Sequence, residues 1–298
     1  MTKTMGSLTR IERSRARRWG IRIVRVGLAV VFAITMTIFA FLYWQGSRKP
    51  VIDGQYVALG SSFAAGIGLG PRASGSPVHC LRTTAGYPAL VAQRAGLRFV
   101  DMTCSGSTSG HILAGGQLML GPQLAAVGPQ ARLVTITTGG NDVDYIGDLM
   151  ATSGSMGWLM SWLNGPVRPA ADRPYDRVTA NLTQIIRDVR IKAPNARIAL
   201  VTYPAILPEQ GNCAATGVGD AQARISRDVA ARLAAATRSA ADEADALLID
   251  MAALSKGHDV CSQSPWVNGA EPRHGTAFHP NAAGSAAVAT GVIEVLGR

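Results

Sequence analysis

The sequence predicts an α/β fold: a three-layer α/β/α sandwich around a five-stranded parallel sheet, preceded by an N-terminal transmembrane helix. Three observations lead there. Short runs rich in β-branched and apolar residues alternate with longer segments of helical periodicity. The runs are almost continuously apolar, as strands covered on both faces are. A long uncharged stretch precedes them all.

The elements follow in chain order. Residues 1–25 form a basic cytoplasmic segment, with eight Lys/Arg against Glu12 alone, a net +7. Residues 26–44, VGLAVVFAITMTIFAFLYW, carry no charge. As a helix they span about 28 Å, close to the hydrocarbon thickness of a bilayer. The run is longer than a signal-peptide core and no A-x-A-like site follows it, which favours an uncleaved signal anchor over a cleaved signal peptide. The positive-inside rule then leaves the rest of the chain outside the cytoplasmic membrane, with Tyr43 and Trp44 at the outer interface.

Residues 45–53 read as a linker. Arg48 and Lys49 add +2, so the formal +10 of the whole chain leaves about +1 for residues 50–298. A nearly neutral body excludes a basic nucleic-acid-binding face.

Beyond the linker, QYVALGS (55–61), RFVDMTCS (98–105), ARLVTITTG (131–139), RIALVTYP (197–204) and ALLIDMA (246–252) read as strands. Helices are expected near 86–96, 174–192, 219–243 and 279–296. Parallel sheets of this kind place their sites beyond the carboxyl ends of the strands. Three such ends are polar and glycine-rich: Ser61 and Ser62, Cys104 to Gly106, and Gly139 to Asp142. Segment 150–172 interrupts the alternation with Trp158, Met160, Trp162 and Leu163, and reads either as a lid or as a helix packing its aromatic side on the sheet.

The cysteines are Cys80, Cys104, Cys213 and Cys261. Their spacing fits no zinc pattern, and an exported chain oxidises its thiols, so disulfides are expected. Of the three pairings, Cys80–Cys104 and Cys213–Cys261 each close a local loop.

A serine hydroxyl needs a base to take its proton and donors to hold the oxyanion. No G-x-S-x-G occurs, which argues against the nucleophile elbow of the common α/β-hydrolases. The available bases are His79, His111, His258, His274 and His279. His279 stands out in GTAFHPNAAG, where Pro280 and Asn281 follow it at a helix entry. No histidine spacing suggests a metal site.

Together, GSSFAAG (60–66), SGST around Gly106, GGND (139–142) and HP (279–280) resemble, in order, the four blocks of the SGNH, or GDSL-like, hydrolases. The resemblance covers residues 54–298 and is similar to the secreted actinobacterial esterase and lipase branch. It implies a flavodoxin-like sheet. It also implies Ser62 as nucleophile, His279 as general base, and an oxyanion hole made by the backbone N–H groups of Ser62 and Gly106 with the side-chain amide of Asn141.

Two positions depart from the family. Ser61 stands where aspartate is usual, and Thr276 replaces the acid of D-x-x-H. A backbone carbonyl can fix the imidazole tautomer in the acid's place, an arrangement that resembles some secreted members of the family; that of Thr276 is the expected one, with a remote aspartate as the alternative. Asp142 is expected to cap a helix or fix its loop.

The implied function is an extracytoplasmic serine esterase or lipase that hydrolyses acyl or lipid esters through an acyl-enzyme, without cofactor or metal. The rate should rise through about pH 6 to 7 as the histidine loses its proton. The alternatives are an O-acetyl esterase or acyltransferase on cell-envelope carbohydrate, and an envelope-binding module with a degenerate site. Oligomeric state is left open.

Overall fold

The structure, a computed structural model, describes residues 10–153, 162 and 167–297. The chain divides into two units. The first is dominated by helix α1 (Arg10–Gly46). Within it, Arg18–Gly46 holds an 18-residue stretch of mean hydropathy 2.3 and is long and apolar enough to cross a membrane. Most of its apolar side chains, Phe32, Ile34 and Phe39 among them, are exposed. The helix runs past the expected end at residue 44, because no breaker occurs before Gly46. Arg48 closes this unit with its guanidinium 3.9 Å from the centre of the Trp44 ring.

The second unit holds the sheet. Its strands are β1 (Tyr56–Gly60), β2 (Phe99–Asp101), β3 (Leu133–Thr137), β4 (Arg197–Val201) and β5 (Leu247–Ile249). They pair in parallel in the order β2-β1-β3-β4-β5. The strand order reverses at β1, so the crevice outside the ends of β1 and β3 is the topological switch point where such sheets bind ligands.

Both faces are covered, as the apolar runs require. Val57, Leu59, Val134, Ile136, Ile198 and Leu200 point to one face. There they meet Val178, Leu182 and Ile185 of α6 (Tyr175–Lys192) and Leu233 and Ala240 of α7 (Asp220–Glu243). The intervening residues Tyr56, Ala58, Leu133, Ala199 and Val201 pack on the other face. Val91 of α3 (Tyr87–Ala95) and Val288 and Val292 of α9 (Ala282–Leu296) cover them. The period of two along each strand sorts the side chains.

The strands are shorter than the apolar runs. Asp101 ends β2 by accepting bonds from the Thr103 backbone (2.9 Å) and hydroxyl (2.6 Å), which turns the chain. Asp250 ends β5 and caps α8 (Met251–Leu254) through the Ala253 N–H. Four short helices went unread in the sequence: α2 (Ser62–Ala65), α4 (Ser109–Ala114), α5 (Tyr145–Thr152) and α8. They are too brief to show a period.

Cys80 is bonded to Cys104 and Cys213 to Cys261. Trp158, Met160 and Leu163 lie outside the described residues. Trp162 is 78% exposed, so it does not pack on the sheet.

The corner after β1 depends on Gly60. Its φ is +147°, and a Cβ there would lie 2.3 Å from the Thr137 carbonyl oxygen. Gly60→Ala should therefore cost about 2–4 kcal/mol in urea unfolding, through combined backbone strain and overpacking. A loss below about 1 kcal/mol would show that the corner relaxes freely.

Candidate active site

The site is assembled from four chain ends. β1 stops at Gly60, and the backbone turns through Ser61 (φ −110°, ψ −157°) into α2, placing Ser62 on the first helical residue. A buried amide fixes this corner from the side. Gln123 Oε1 accepts from the Gly60 N–H (2.8 Å), and Gln123 Nε2 donates to the Gly60 carbonyl (3.0 Å) and to Ser107 Oγ (3.0 Å). The residue bonds both backbone groups of the last glycine of β1.

Beyond β2, the Cys104 N–H donates to the Gly60 carbonyl (3.0 Å), and Ser105 donates through its backbone and hydroxyl to the Cys80 carbonyl. The loop carrying Gly106 is thus held to β1 on one side and to the disulfide on the other. Among the described residues the Gly106 N–H meets no acceptor. The Ser62 N–H opens the first turn of α2, where no intrahelical acceptor exists.

Beyond β3, Asn141 Nδ2 donates to the Ser107 carbonyl (2.8 Å), which places its amide beside Gly106. Asp142 turns away from the imidazole. Its carboxylate accepts from the Ser109 backbone (2.9 Å) and hydroxyl (2.5 Å), and Asn181 Nδ2 donates to that hydroxyl. The aspartate fixes its loop to the start of α4.

The fourth end precedes α9. Val267 bridges Pro280, Asn268 N–H donates to the His279 carbonyl (2.9 Å), and Asn268 Nδ2 donates to the Thr276 carbonyl (3.1 Å). Asn281 caps α9 by accepting from the Gly284 N–H (3.0 Å). Pro280 consequently lies before the cap rather than in the first turn. These bonds hold an irregular segment rigid while both His279 and Ser62 are largely buried, at 5% and 9% exposure.

His279 Nε2 lies 2.8 Å from Ser62 Oγ. His279 Nδ1 lies 2.7 Å from the Ala277 carbonyl oxygen. A carbonyl can only accept, so Nδ1 carries the proton and Nε2 presents its lone pair to the serine hydroxyl. The orienting carbonyl is that of Ala277, not of Thr276. The Thr276 oxygen is occupied by Asn268 and by the His279 N–H, and Phe278 adopts a left-handed φ of +57° that swings the Ala277 carbonyl under the ring. Among the described residues no carboxylate pairs with His279.

Burial dominates the imidazole's titration. Desolvation pushes the pKa of His279 down to about 4, against the opposing bond to Ala277. The ordinary range of pH 6 to 7 expected from the sequence therefore does not apply to this ring. Phe63 packs 4.9 Å from it, centre to centre, and helps exclude water.

A serine bonded to a tautomer-fixed imidazole beside backbone N–H donors, at the switch point of a parallel sheet, is the arrangement of a serine hydrolase. Residues 58–287 match the GDSL-like lipase/acylhydrolase family, and the chain belongs to it. It is 33% identical over 262 residues to Lipase 2 of Streptomyces coelicolor, covering 83% of this chain and 87% of that one. The extracellular lipase of Streptomyces rimosus superposes with a TM-score of 0.62 at 29% identity, covering 81% of this chain and 97% of its own. Phospholipase A1 of Streptomyces albidoflavus superposes with a TM-score of 0.62 at 27% identity, covering 82% and 98%. The chain is an ester hydrolase of the SGNH type.

Two residues escaped sequence reasoning. Gln123 follows a glycine–proline pair that signals only a turn, and Tyr203 sits among the residues of an ordinary apolar strand. Neither carries a motif.

A histidine-selective NMR titration should find the His279 ring neutral, protonated on Nδ1, and titrating near pH 4. A midpoint between pH 6 and 7 would show that the ring is solvated.

Proposed function

We propose that the protein is a membrane-anchored, extracytoplasmic lipase or esterase that cleaves acyl esters through an acyl-enzyme on Ser62. The observation that carries this reading is the 2.8 Å contact from His279 Nε2 to Ser62 Oγ, with the other ring nitrogen committed to the Ala277 carbonyl. The long apolar α1 and the two disulfides support the location. The likeness to a Streptomyces lipase and to a phospholipase A1 supports an acyl-lipid substrate.

In the reaction Ser62 Oγ attacks the ester carbonyl carbon as its proton passes to His279 Nε2. The carbonyl oxygen gains the negative charge and is held by the N–H groups of Ser62 and Gly106 and the amide of Asn141. The imidazolium then protonates the leaving alcohol, and the C–O bond breaks. Water enters, gives its proton to Nε2 and attacks the acyl-serine; the imidazolium then returns the proton to Ser62 Oγ as that C–O bond breaks, which releases the carboxylic acid and restores the serine.

The Ala277 carbonyl keeps the tautomer correct and accepts the hydrogen bond from Nδ1–H throughout. It supplies a partial negative charge beside the imidazolium, where the usual triad supplies a full one.

The test is hydrolysis of p-nitrophenyl esters from acetate to palmitate by the full chain in detergent. Wild type should turn over, with a preference for longer acyl groups. Ser62→Ala should lose at least about a thousandfold in kcat, and Asn141→Ala about 100- to 1000-fold through the missing oxyanion donor. Selective turnover of acetate would favour the O-acetyl esterase reading. No turnover by a folded wild type would overturn the proposal.

Because the base must be neutral, kcat/KM should fall only as pH drops through about 4, the value to which burial lowers His279. Above about pH 6 the profile should be flat. A limb between pH 6 and 7 would contradict the buried geometry.

A further inference from the structure

Ser61, the departure from the family aspartate, is not an isolated substitution. Its Oγ lies 3.0 Å from the hydroxyl of Tyr203, and the same hydroxyl accepts a bond from the Gly140 N–H at 3.1 Å. Tyr203 stands just past the end of β4 and is buried. A backbone N–H can only donate, so the phenol accepts from Gly140 and its own proton is free to go to Ser61. Burial raises the phenol's pKa to about 12, so the hydroxyl stays protonated at working pH.

The packing around the ring follows the same line. The Tyr203 ring lies 4.5 Å, centre to centre, from Phe63, which in turn packs on His279. A Cβ on Gly140 would lie 2.8 Å from the tyrosine hydroxyl oxygen, so the glycine backbone rests directly on the phenol. Tyr203 thereby touches the residue before Ser62, the residue after it, and the residue before Asn141.

We propose that the Tyr203 hydroxyl is a positioning group for ester hydrolysis. It bridges Ser61 and Gly140, and so sets the spacing between the nucleophile and the Asn141 amide in the place where the family has a carboxylate. The inference rests on the roles assigned above to Ser62 and Asn141. The bridge contacts neither substrate nor reacting atoms, and it acts by holding the Gly139–Gly140 peptide, and with it the start of the loop from which the Asn141 amide reaches Ser107. Substrate binding should not depend on it. The oxyanion, which forms only as the reaction proceeds, should.

The experiment measures kcat, KM and melting temperature for the full chain and for Tyr203→Phe, Ser61→Ala and the double variant, on one p-nitrophenyl ester. Tyr203→Phe should lower kcat by about 10- to 100-fold, less than outright removal of an oxyanion donor, with KM within about twofold. Ser61→Ala should lower it by about 3- to 10-fold, because the bond to Gly140 survives. The double variant should be no slower than Tyr203→Phe beyond about twofold, since a bridge already cut is not cut again.

A folded Tyr203→Phe with kcat within about twofold of wild type would overturn the bridge, as would single losses that multiply in the double variant. Should Tyr203→Phe fail to fold, Ser61→Ala keeps the aromatic packing and decides alone. Reduced kcat at constant KM supports the bridge, and unchanged kcat overturns it. A folded wild type silent on every ester would overturn the functional reading together with this one, a pattern distinct from loss of the bridge alone.

Discussion

The bond from His279 Nδ1 to the Ala277 carbonyl is the constraint on which the site depends. It determines which ring nitrogen carries the proton, and hence that Nε2 can accept from Ser62 at 2.8 Å. A backbone carbonyl reaches that position only through local geometry that nothing in regular structure supplies. Phe278 takes a left-handed conformation, Asn268 clamps the loop at two points, and Val267 bridges Pro280. The α9 cap at Asn281 then ends the irregular segment within two residues of the imidazole. A left-handed non-glycine residue is costly, and it persists where its surroundings over-determine it.

A carbonyl in place of a carboxylate also changes the electrostatics. No full negative charge faces the imidazole, so burial lowers its pKa without opposition from an ion pair. The surrounding polar groups are neutral as well: Gln123 across Gly60, and Tyr203 between Ser61 and Gly140. Asp142, the nearest motif carboxylate, is spent on Ser109. The site is thus organised by neutral hydrogen bonds, each of which would be expensive to leave unmade at this depth.

Much of this was legible in the sequence, for identifiable reasons. The five strands announce themselves as apolar runs because both faces of the sheet are covered, and Ser62 and His279 sit in short blocks at strand and helix ends where local patterns are strong. What stayed hidden is non-local. Gln123 lies 63 residues from Gly60 and Tyr203 lies 142 from Ser61, so no window of sequence contains either pair. The assignment of the orienting carbonyl to Thr276 failed for a different reason. The carbonyl that faces the ring is selected by the φ of Phe278, and phenylalanine carries no sign of a left-handed turn.

The central claim is that a serine and a carbonyl-held histidine suffice to make Ser62 a nucleophile. The most direct measurement is mass spectrometry of the folded chain after exposure to a fluorophosphonate, with peptide mapping, beside a His279→Ala control. The account predicts one phosphonyl adduct per chain, located on Ser62 and slowed by at least about a hundredfold in the control. An unmodified Ser62, or labelling that is indifferent to His279, would contradict it.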